Sequence, residues 1–98
     1  SENYSWFSSR YENFLYIDRI VISENSRGQG LGSQLYKDVI ETAHSYSQRL
    51  TCEVNKKPPN PLSMVFHKTF GFKCVGAQQT KDGEKEVKLL CLDLSPIN

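Results

Sequence analysis

The feature that most constrains this chain is a cluster of alternating glycines, Gly28, Gly30 and Gly32, in the stretch RGQGLG. Before the cluster, residues 14–22 (FLYIDRIVI) are apolar at odd and even positions and rich in β-branched and aromatic side chains. They predict a central strand covered on both faces. After the cluster, apolar residues recur at helical spacing and predict an amphipathic helix that ends near Tyr46. The glycines therefore stand where a strand passes into a helix.

A second strand and a second helix follow. Residues 49–55 (RLTCEVN) alternate as a strand does, so strand, helix and strand predict a right-handed parallel crossover. The second helix is predicted over 61–70, because Asn60 can accept free amide hydrogens and Gly71 can supply a left-handed stop. The inward stripes are expected at Leu35, Tyr36, Val39, Ile40 and Ala43 in the first helix and at Leu62, Val65, Phe66 and Thr69 in the second.

The two ends of the chain predict further strands. Residues 4–14 (YSWFSSRYENF) are interpreted as an edge strand that turns into Phe14. Near the other end, KCVGAQQ and EVKLLCLDL flank TKDG, in which Asp82 and Gly83 favour a tight hairpin turn. The predicted fold class is α/β (α+β), with a strand-helix-strand-helix core and a C-terminal β-hairpin.

Composition narrows the class of protein. A length of 98 residues allows one small domain, assigned to residues 1–98. A net charge of +1, from 12 basic and 11 acidic residues, offers no electrostatic footprint for nucleic acid or an anionic membrane. Since the chain shows neither an apolar run of about 20 residues nor the order of a signal peptide, a cytoplasmic protein is expected. Three cysteines without Cys-x-x-Cys spacing, Cys52, Cys74 and Cys91, predict buried free thiols and no metal site.

The glycine cluster has the chemistry of a phosphate cradle. A helix N-terminus presents free amide hydrogens and a partial positive charge, and glycines let the backbone approach an anion closely. A nucleoside-triphosphate loop needs a lysine after its glycines, which this chain lacks. A dinucleotide-binding fingerprint fits poorly, because Ser33 occupies the place of its third glycine and residues 23–27 separate it from the strand. Glu53 favours that fingerprint as a ribose-binding acid, so a Rossmann-type half domain stays an alternative.

Two motifs resemble the GNAT (GCN5-related) N-acetyltransferase superfamily. Arg27, Gly30 and Gly32 match its pyrophosphate loop, Gln/Arg-x-x-Gly-x-Gly/Ala. The second motif is NPLSMVFHKTFGF, in which the matching residues are Asn60, Ser63, Phe66, His67, Gly71 and Phe72. The resemblance covers residues 14–94 and extends to a bacterial branch of predicted acetyltransferases.

The resemblance implies a GNAT-like mixed sheet and transfer of an acetyl group from acetyl-coenzyme A (acetyl-CoA) to an amine, which attacks directly without a covalent protein intermediate. It implies that the two parallel strands splay apart to admit the pantetheine arm. The cofactor-binding residues implied are Ile20, Ile22, Arg27, Gly28, Gln29, Gly30, Leu31, Gly32, Ser33, Asn60 and Ser63.

Three residues are candidates for catalysis. Asp18 could serve as a general base or form an ion pair with a neighbouring arginine. Glu53 could relay the proton of the amine or hold the cation of the substrate. His67 stands where many family members carry a tyrosine that protonates the leaving thiolate, although a histidine on a helix surface is the structural alternative.

The family usually begins with a strand, two helices and another strand that this chain does not contain. The chain is therefore interpreted as a domain that lacks the N-terminal strand and helices, and a CoA-binding or interaction module without turnover stays an alternative. The expected acceptor is a small-molecule amine. Nucleic acid and membranes are not expected as partners, and a homodimer stays open.

Overall fold

A computed structural model describes residues 2–18, 30–57, 59–79 and 83–94. The predicted cofactor residues Ile20, Ile22, Arg27, Gly28 and Gln29 lie outside this part of the chain, and nothing is described of the side chain of Leu31. The elements in chain order are helix α1 (Glu2–Ser8), strand β1 (Leu15–Tyr16), helix α2 (Leu31–His44), strand β2 (Arg49–Lys57), helix α3 (Pro61–Thr69), strand β3 (Lys73–Gln79) and strand β4 (Glu86–Asp93).

The described strands form one mixed sheet in the order β1-β2-β4-β3. β1 pairs in parallel with β2, so the predicted parallel connection through α2 is confirmed. β4 runs antiparallel to both β2 and β3, which confirms the C-terminal hairpin. This antiparallel half differs from the parallel sheet of the dinucleotide-binding alternative.

The N-terminal segment was expected to be an edge strand, and this prediction is wrong: residues 2–8 form α1. Asn3 and Phe7 are spaced i and i+4, so a helix places both on one face. Phe7 is fully buried against Val87 and Leu89 of β4. Burial of this aromatic ring against the sheet therefore outweighs the high strand propensity of the aromatic residues nearby.

The described part of the first predicted strand is short. β1 contains Leu15 and Tyr16 and lies at one edge of the described sheet. Leu15 is 37% exposed, so the expectation of a central strand covered on both faces is wrong for this part. Residues 19–22 of the predicted strand lie outside the described residues.

The larger core lies between the sheet and the helices α2 and α3. Along α2, Tyr36 and Ala43 are buried and Val39 and Ile40 pack against them, as predicted, whereas Leu35 is exposed. The core residues from the strands are Leu50, Cys52, Val54, Leu90 and Leu94, with Phe72 at the start of the hairpin.

The stripe predicted for α3 is confirmed at Phe66 and wrong at Leu62, Val65 and Thr69. Leu62 is 83% exposed and Val65 is 65% exposed, whereas the partly buried Met64 and Phe66 pack against the core and His67 is buried. The helix carries apolar side chains on two faces, so hydrophobic periodicity could not choose between them. Contact with Tyr36 turns the face that carries His67 inward.

The ends of α3 agree with the sequence. The Asn60 side chain accepts a hydrogen bond from the Ser63 backbone N–H at 3.3 Å, and Gly71 has a φ of 98°. The last described pair of the hairpin is Gln79 with Glu86, and Asp82 of the predicted turn lies outside the described residues.

The three cysteines are free thiols, as predicted. Cys52 is buried and Cys91 half-buried, whereas Cys74 is exposed, which corrects the expectation for that thiol. Burial raises the pKa of Cys52 to about 12, so this thiol is inert at neutral pH. Over the described ranges, no three His, Cys, Asp or Glu side chains come together as a metal site. The helices described here include none with the length and apolar character of a membrane span.

Candidate functional site

Strands β1 and β2 are hydrogen-bonded to each other only near the start of β2 among the described residues. The Ile17 backbone N–H donates to the Thr51 carbonyl at 2.8 Å, and the Thr51 hydroxyl donates to the Leu15 carbonyl at 2.8 Å. Beyond Thr51, β2 continues to Lys57 with no further partner in β1 among the described residues. Among the described residues, no backbone partner lies along the edge of β2 that faces away from β4 beyond Thr51.

The N-terminus of α2 has no side-chain cap. Gly30 is its N-cap and has a φ of 77°. A Cβ atom at Gly30 would meet no atom of the described residues within 4 Å. The backbone N–H groups of the first turn, from Leu31 to Ser33, therefore lack a side-chain acceptor from the cap.

His67 is a buried residue and not the helix-surface histidine of the structural alternative, since it is only 6% exposed. Its Nδ1 lies 2.7 Å from the Ser63 carbonyl oxygen, and its Nε2 lies 2.6 Å from the Tyr36 hydroxyl oxygen. Because a carbonyl can only accept, Nδ1 carries the proton and the Tyr36 hydroxyl donates to Nε2. Burial lowers the pKa of His67, and the hydrogen bond to Ser63 offsets this in part, so the ring is neutral.

Tyr36 was predicted as a core residue only, and its role as the partner of His67 was missed. The available signal was a phenol within a largely aliphatic stripe, because a buried tyrosine hydroxyl requires a hydrogen-bond partner. Burial raises the pKa of Tyr36 far above its ordinary value, so the phenol remains protonated.

Glu53 lies on the face of the sheet opposite to His67, two residues after Thr51 along β2. The Tyr16 hydroxyl donates to Glu53 Oε2 at 2.6 Å. Burial raises the pKa of Glu53 and the nearby Asp18 carboxylate adds to the rise, while the bonds from Tyr16 and Asn3 oppose it. A half-buried carboxylate with a raised pKa is a stronger base than an exposed one.

The predicted catalytic residues fall into two groups. Glu53 and Asp18 interact on the face covered by α1. His67 and Ser63 lie on α3, against the opposite face, where Cys52 of β2 belongs to the core. Successive residues of β2 point to opposite faces, so the sheet separates Glu53 from His67. Asp18 is exposed, and the described residues form no ion pair with it.

The mixed sheet, with β1 parallel to β2 and β4 antiparallel to both of its neighbours, is the fold of the GNAT acetyltransferases. The family model of the acetyltransferase (GNAT) domain matches residues 7–90. This chain belongs to that family, whose members generally use acetyl-CoA.

Individual relatives agree with this assignment. The chain is 34% identical over 77 residues to the peptidyl-lysine N-acetyltransferase YjaB of Salmonella typhimurium, a match that covers 79% of this chain and 49% of that protein. The chain thus spans about half the length of this curated relative.

Solved structures share the fold. Ard1 from Thermoplasma volcanium superposes with a TM-score of 0.75 at 17% identity, over 89% of this chain and 59% of that one. The ribosomal-protein-S18-alanine N-acetyltransferase from Escherichia coli superposes with a TM-score of 0.70 at 20% identity, over 85% of this chain and 57% of that one. These two likenesses establish the architecture.

Proposed function

We propose that the chain binds acetyl-CoA and transfers its acetyl group to the amine of a small molecule. The observation that carries this proposal is that, among the described residues, β1 pairs with β2 only as far as Thr51 while β2 continues to Lys57. A parallel pair that separates in mid-strand exposes backbone N–H and C=O groups that an extended pantetheine arm can use.

The proposed cofactor residues contact different parts of acetyl-CoA. The backbone N–H groups of Leu31, Gly32 and Ser33 meet the pyrophosphate, because the Gly30 cap leaves them without a side-chain acceptor. The side-chain oxygen of Asn60 accepts the hydrogen bond that caps α3, so its amide N–H groups remain for the cofactor, with Ser63 beside it. Arg27, Gly28 and Gln29 complete the loop, and the main chain near Ile20 and Ile22 pairs with the pantetheine arm.

Glu53 acts as the general base. The acetyl donor supplies a thioester; the amine nitrogen bonds to its carbonyl carbon, the carbon–sulfur bond breaks, and Glu53 takes the proton that the nitrogen loses. The pKa of Glu53 is raised toward the pKa of the amine, and this smaller difference favours the proton transfer. Asp18 lies near enough to act on the Glu53 carboxylate and adds negative charge that attracts a cationic acceptor.

His67 provides the proton for the leaving thiolate. The neutral ring has no free N–H, because Nδ1 donates to Ser63 and Nε2 accepts from Tyr36. Donation therefore requires the imidazolium, which gives its Nε2 proton to Tyr36 while the Tyr36 hydroxyl proton passes to sulfur. The lowered pKa makes the imidazolium scarce at neutral pH, so this contribution is small.

The acceptor is an amine because YjaB, which is 34% identical to this chain, is a peptidyl-lysine N-acetyltransferase. A small molecule is favoured over a basic protein tail, since the chain carries a net charge of only +1 and two adjacent carboxylates suffice for one cation. A CoA-binding module without turnover is the second candidate, favoured by the separation of Glu53 and His67 onto opposite faces of the sheet.

Calorimetric titration with acetyl-CoA tests the cradle with a matched pair of variants. Gly30 and Gly83 have similar φ angles, 77° and 73°, and a Cβ meets nothing within 4 Å at either. Valine therefore brings the same backbone strain at both positions. We expect Gly30→Val to weaken binding by about tenfold or more, the loss of roughly one charge-assisted hydrogen bond, and Gly83→Val to bind as wild type does. Equal affinities for the two variants would reject the cradle, and parallel titrations with NAD and ATP should show no binding.

Release of free CoA in the presence of a panel of amines and alcohols tests turnover. Release with amines supports N-acetyl transfer, whereas release with alcohols alone contradicts it. Binding without release in any reaction would identify the binding module. Glu53→Gln should lower the rate about 10²-fold or more, while the exposed Glu41→Gln should leave it unchanged.

A further inference from the structure

Helix α1 reaches both sides of the sheet through its aromatic side chains. The ring of Trp6 lies directly over Gly76 of β3. The ring of Tyr4 meets the rings of Phe14 and Tyr16, just before and within β1, at centroid distances of 5.4 and 5.8 Å. Because β2 and β4 lie between β1 and β3, α1 lies above the two middle strands and turns Tyr4 toward the side where β1 pairs with β2.

The Tyr16 side chain connects Tyr4 to Glu53. Its hydroxyl donates to Glu53 Oε2 at 2.6 Å, while its ring stands at 77° to the Tyr4 ring, edge to face. Tyr16 and Glu53 are both half-buried, so their contact has a fixed position on the sheet. Tyr4 is therefore separated from the Glu53 carboxylate by the width of one aromatic ring.

Tyr4 is the outer member of an aromatic cluster that also contains Phe7, Phe14 and Tyr16. Phe7 is fully buried and contacts Phe14 and Tyr16 at centroid distances of 6.2 and 6.0 Å. Tyr4 is 48% exposed, so its ring remains accessible although its neighbours are anchored in the core. A rigid aromatic side chain offers contact area to a ligand at a low cost in conformational entropy.

Two carboxylates accompany the aromatic cluster. Glu53 contacts Tyr16, and the exposed Asp18 follows Tyr16 by two residues. In the part of the chain that the structure describes, neither carboxylate forms an ion pair. Negative charge beside aromatic rings favours a cationic ligand, because a carboxylate pairs with an ammonium group and a ring face attracts one. An accessible ring also favours an aromatic ligand, since aromatic rings pair at centroid distances of about 4.5–7 Å.

We propose that the exposed ring of Tyr4 forms an arene subsite that determines specificity, and that the acceptor is a small primary amine that carries an aromatic ring. The proposal rests on the proposed N-acetyl transfer and names its substrate class. The acceptor ring stacks on Tyr4, and its nitrogen reaches the Glu53 carboxylate. Since one ring separates Tyr4 from Glu53, a linker of about two or three atoms between arene and nitrogen fits the site. The aliphatic chain of a lysine has no ring to pair with Tyr4.

NMR titration of the chain with phenylethylamine and cyclohexylethylamine tests the arene subsite without acetyl-CoA. The two amines carry the same charge and are similar in size, but only the first is aromatic. Wild type should bind phenylethylamine about threefold to tenfold more tightly, the gain of one aromatic pair. Its addition should shift the backbone signals of Phe14, Tyr16 and Glu53. Tyr4→Leu should abolish the difference between the two amines, whereas Tyr46→Leu, at a position that is 74% exposed, should retain it.

Equal affinities of wild type for the two amines would overturn the proposal, and this comparison requires no variant to fold. A preference for phenylethylamine that survives in Tyr4→Leu would overturn the assignment to Tyr4. Tighter binding of a lysine peptide than of phenylethylamine would overturn the substrate class.

Release of free CoA separates the arene subsite from the transfer itself. The preference for phenylethylamine should appear in KM while kcat stays similar for the two amines, because Tyr4 touches no reacting atom. Tighter binding of phenylethylamine without release of CoA would reject N-acetyl transfer and retain the arene subsite. Release of CoA with equal KM values for the two amines would retain the transfer and reject the arene subsite.

Discussion

The Tyr36 hydroxyl and His67 Nε2 lie 2.6 Å apart and join α2 to α3. Both side chains are buried, and their rings meet edge to face at a centroid distance of 5.0 Å. α2 begins at the glycine cluster and α3 begins at Asn60, so this hydrogen bond connects the two helices that carry the sequence motifs. It fixes how those helices pack above the sheet.

Removing the Tyr36 hydroxyl should destabilise the fold. In Tyr36→Phe the buried Nε2 of His67 loses its donor, which should lower the free energy of unfolding by about 1–3 kcal/mol. Tyr46→Phe is the matched control, because Tyr46 is 74% exposed, and it should change stability by less than about 0.5 kcal/mol. Urea denaturation measures both, and equal effects would contradict a buried bond.

Stability should fall on acidification because of His67. Burial lowers its pKa in the folded state, so below the unfolded value of about 6.5 the unfolded chain binds the proton more readily. The raised pKa of Glu53 acts in the opposite direction and is common to all variants compared. Unfolding free energies at pH 7.5 and pH 5 should differ less in His67→Gln than in wild type. His44 is exposed, so His44→Gln should retain the wild-type difference in unfolding free energy between the two pH values. The same difference in His67→Gln would disprove that His67 causes the loss of stability.

Turnover should depend on His67 only to a limited degree. His67→Ala should reduce kcat at saturating acetyl-CoA by about 10²-fold or less, because a thiol with a pKa of about 8.5 leaves readily as thiolate. His67→Tyr should restore part of the rate, since it replaces the imidazole by the family's phenol. If both variants turn over as wild type does, the Tyr36–His67 pair has a structural role alone. Affinity for acetyl-CoA, measured alongside, separates loss of catalysis from loss of binding.

The contact between α1 and β3 should tolerate no side chain at Gly76. A Cβ at that position would collide with the Trp6 ring, so Gly76→Val should displace α1 and cost about 1–3 kcal/mol of stability. Ala77→Val provides the control, because Ala77 is the next residue of β3 and is exposed. Thermal unfolding measures the melting temperatures of both variants. Equal melting temperatures for Gly76→Val and Ala77→Val would refute the contact.

Local patterns in the sequence predicted the elements whose signals are local. The period of α2 and the Asn60 and Gly71 ends of α3 depend on neighbouring residues and are confirmed. The two motifs also predicted the family, because each motif is a short stretch whose residue spacing reflects the chemistry of its own segment of backbone. Roles of the individual cofactor and catalytic residues remain predictions.

Choices between competing faces and partners required the tertiary structure. Residues 4–14 have the composition of a strand, yet Phe7 finds its burial against Val87 and Leu89, which are distant in sequence, and this contact makes α1 a helix. On α3, apolar residues on two faces left the inward face undecided until Tyr36 of α2 met His67.

The sequence by itself determined the order of strands and helices from β1 to β4, the ends of α3 and the family, because each follows from spacing within a few turns. Only the tertiary structure decided that Glu53 meets Tyr16, and that His67 is buried and neutral. Burial and hydrogen bonding set these protonation states, and both depend on side chains brought together from separate elements.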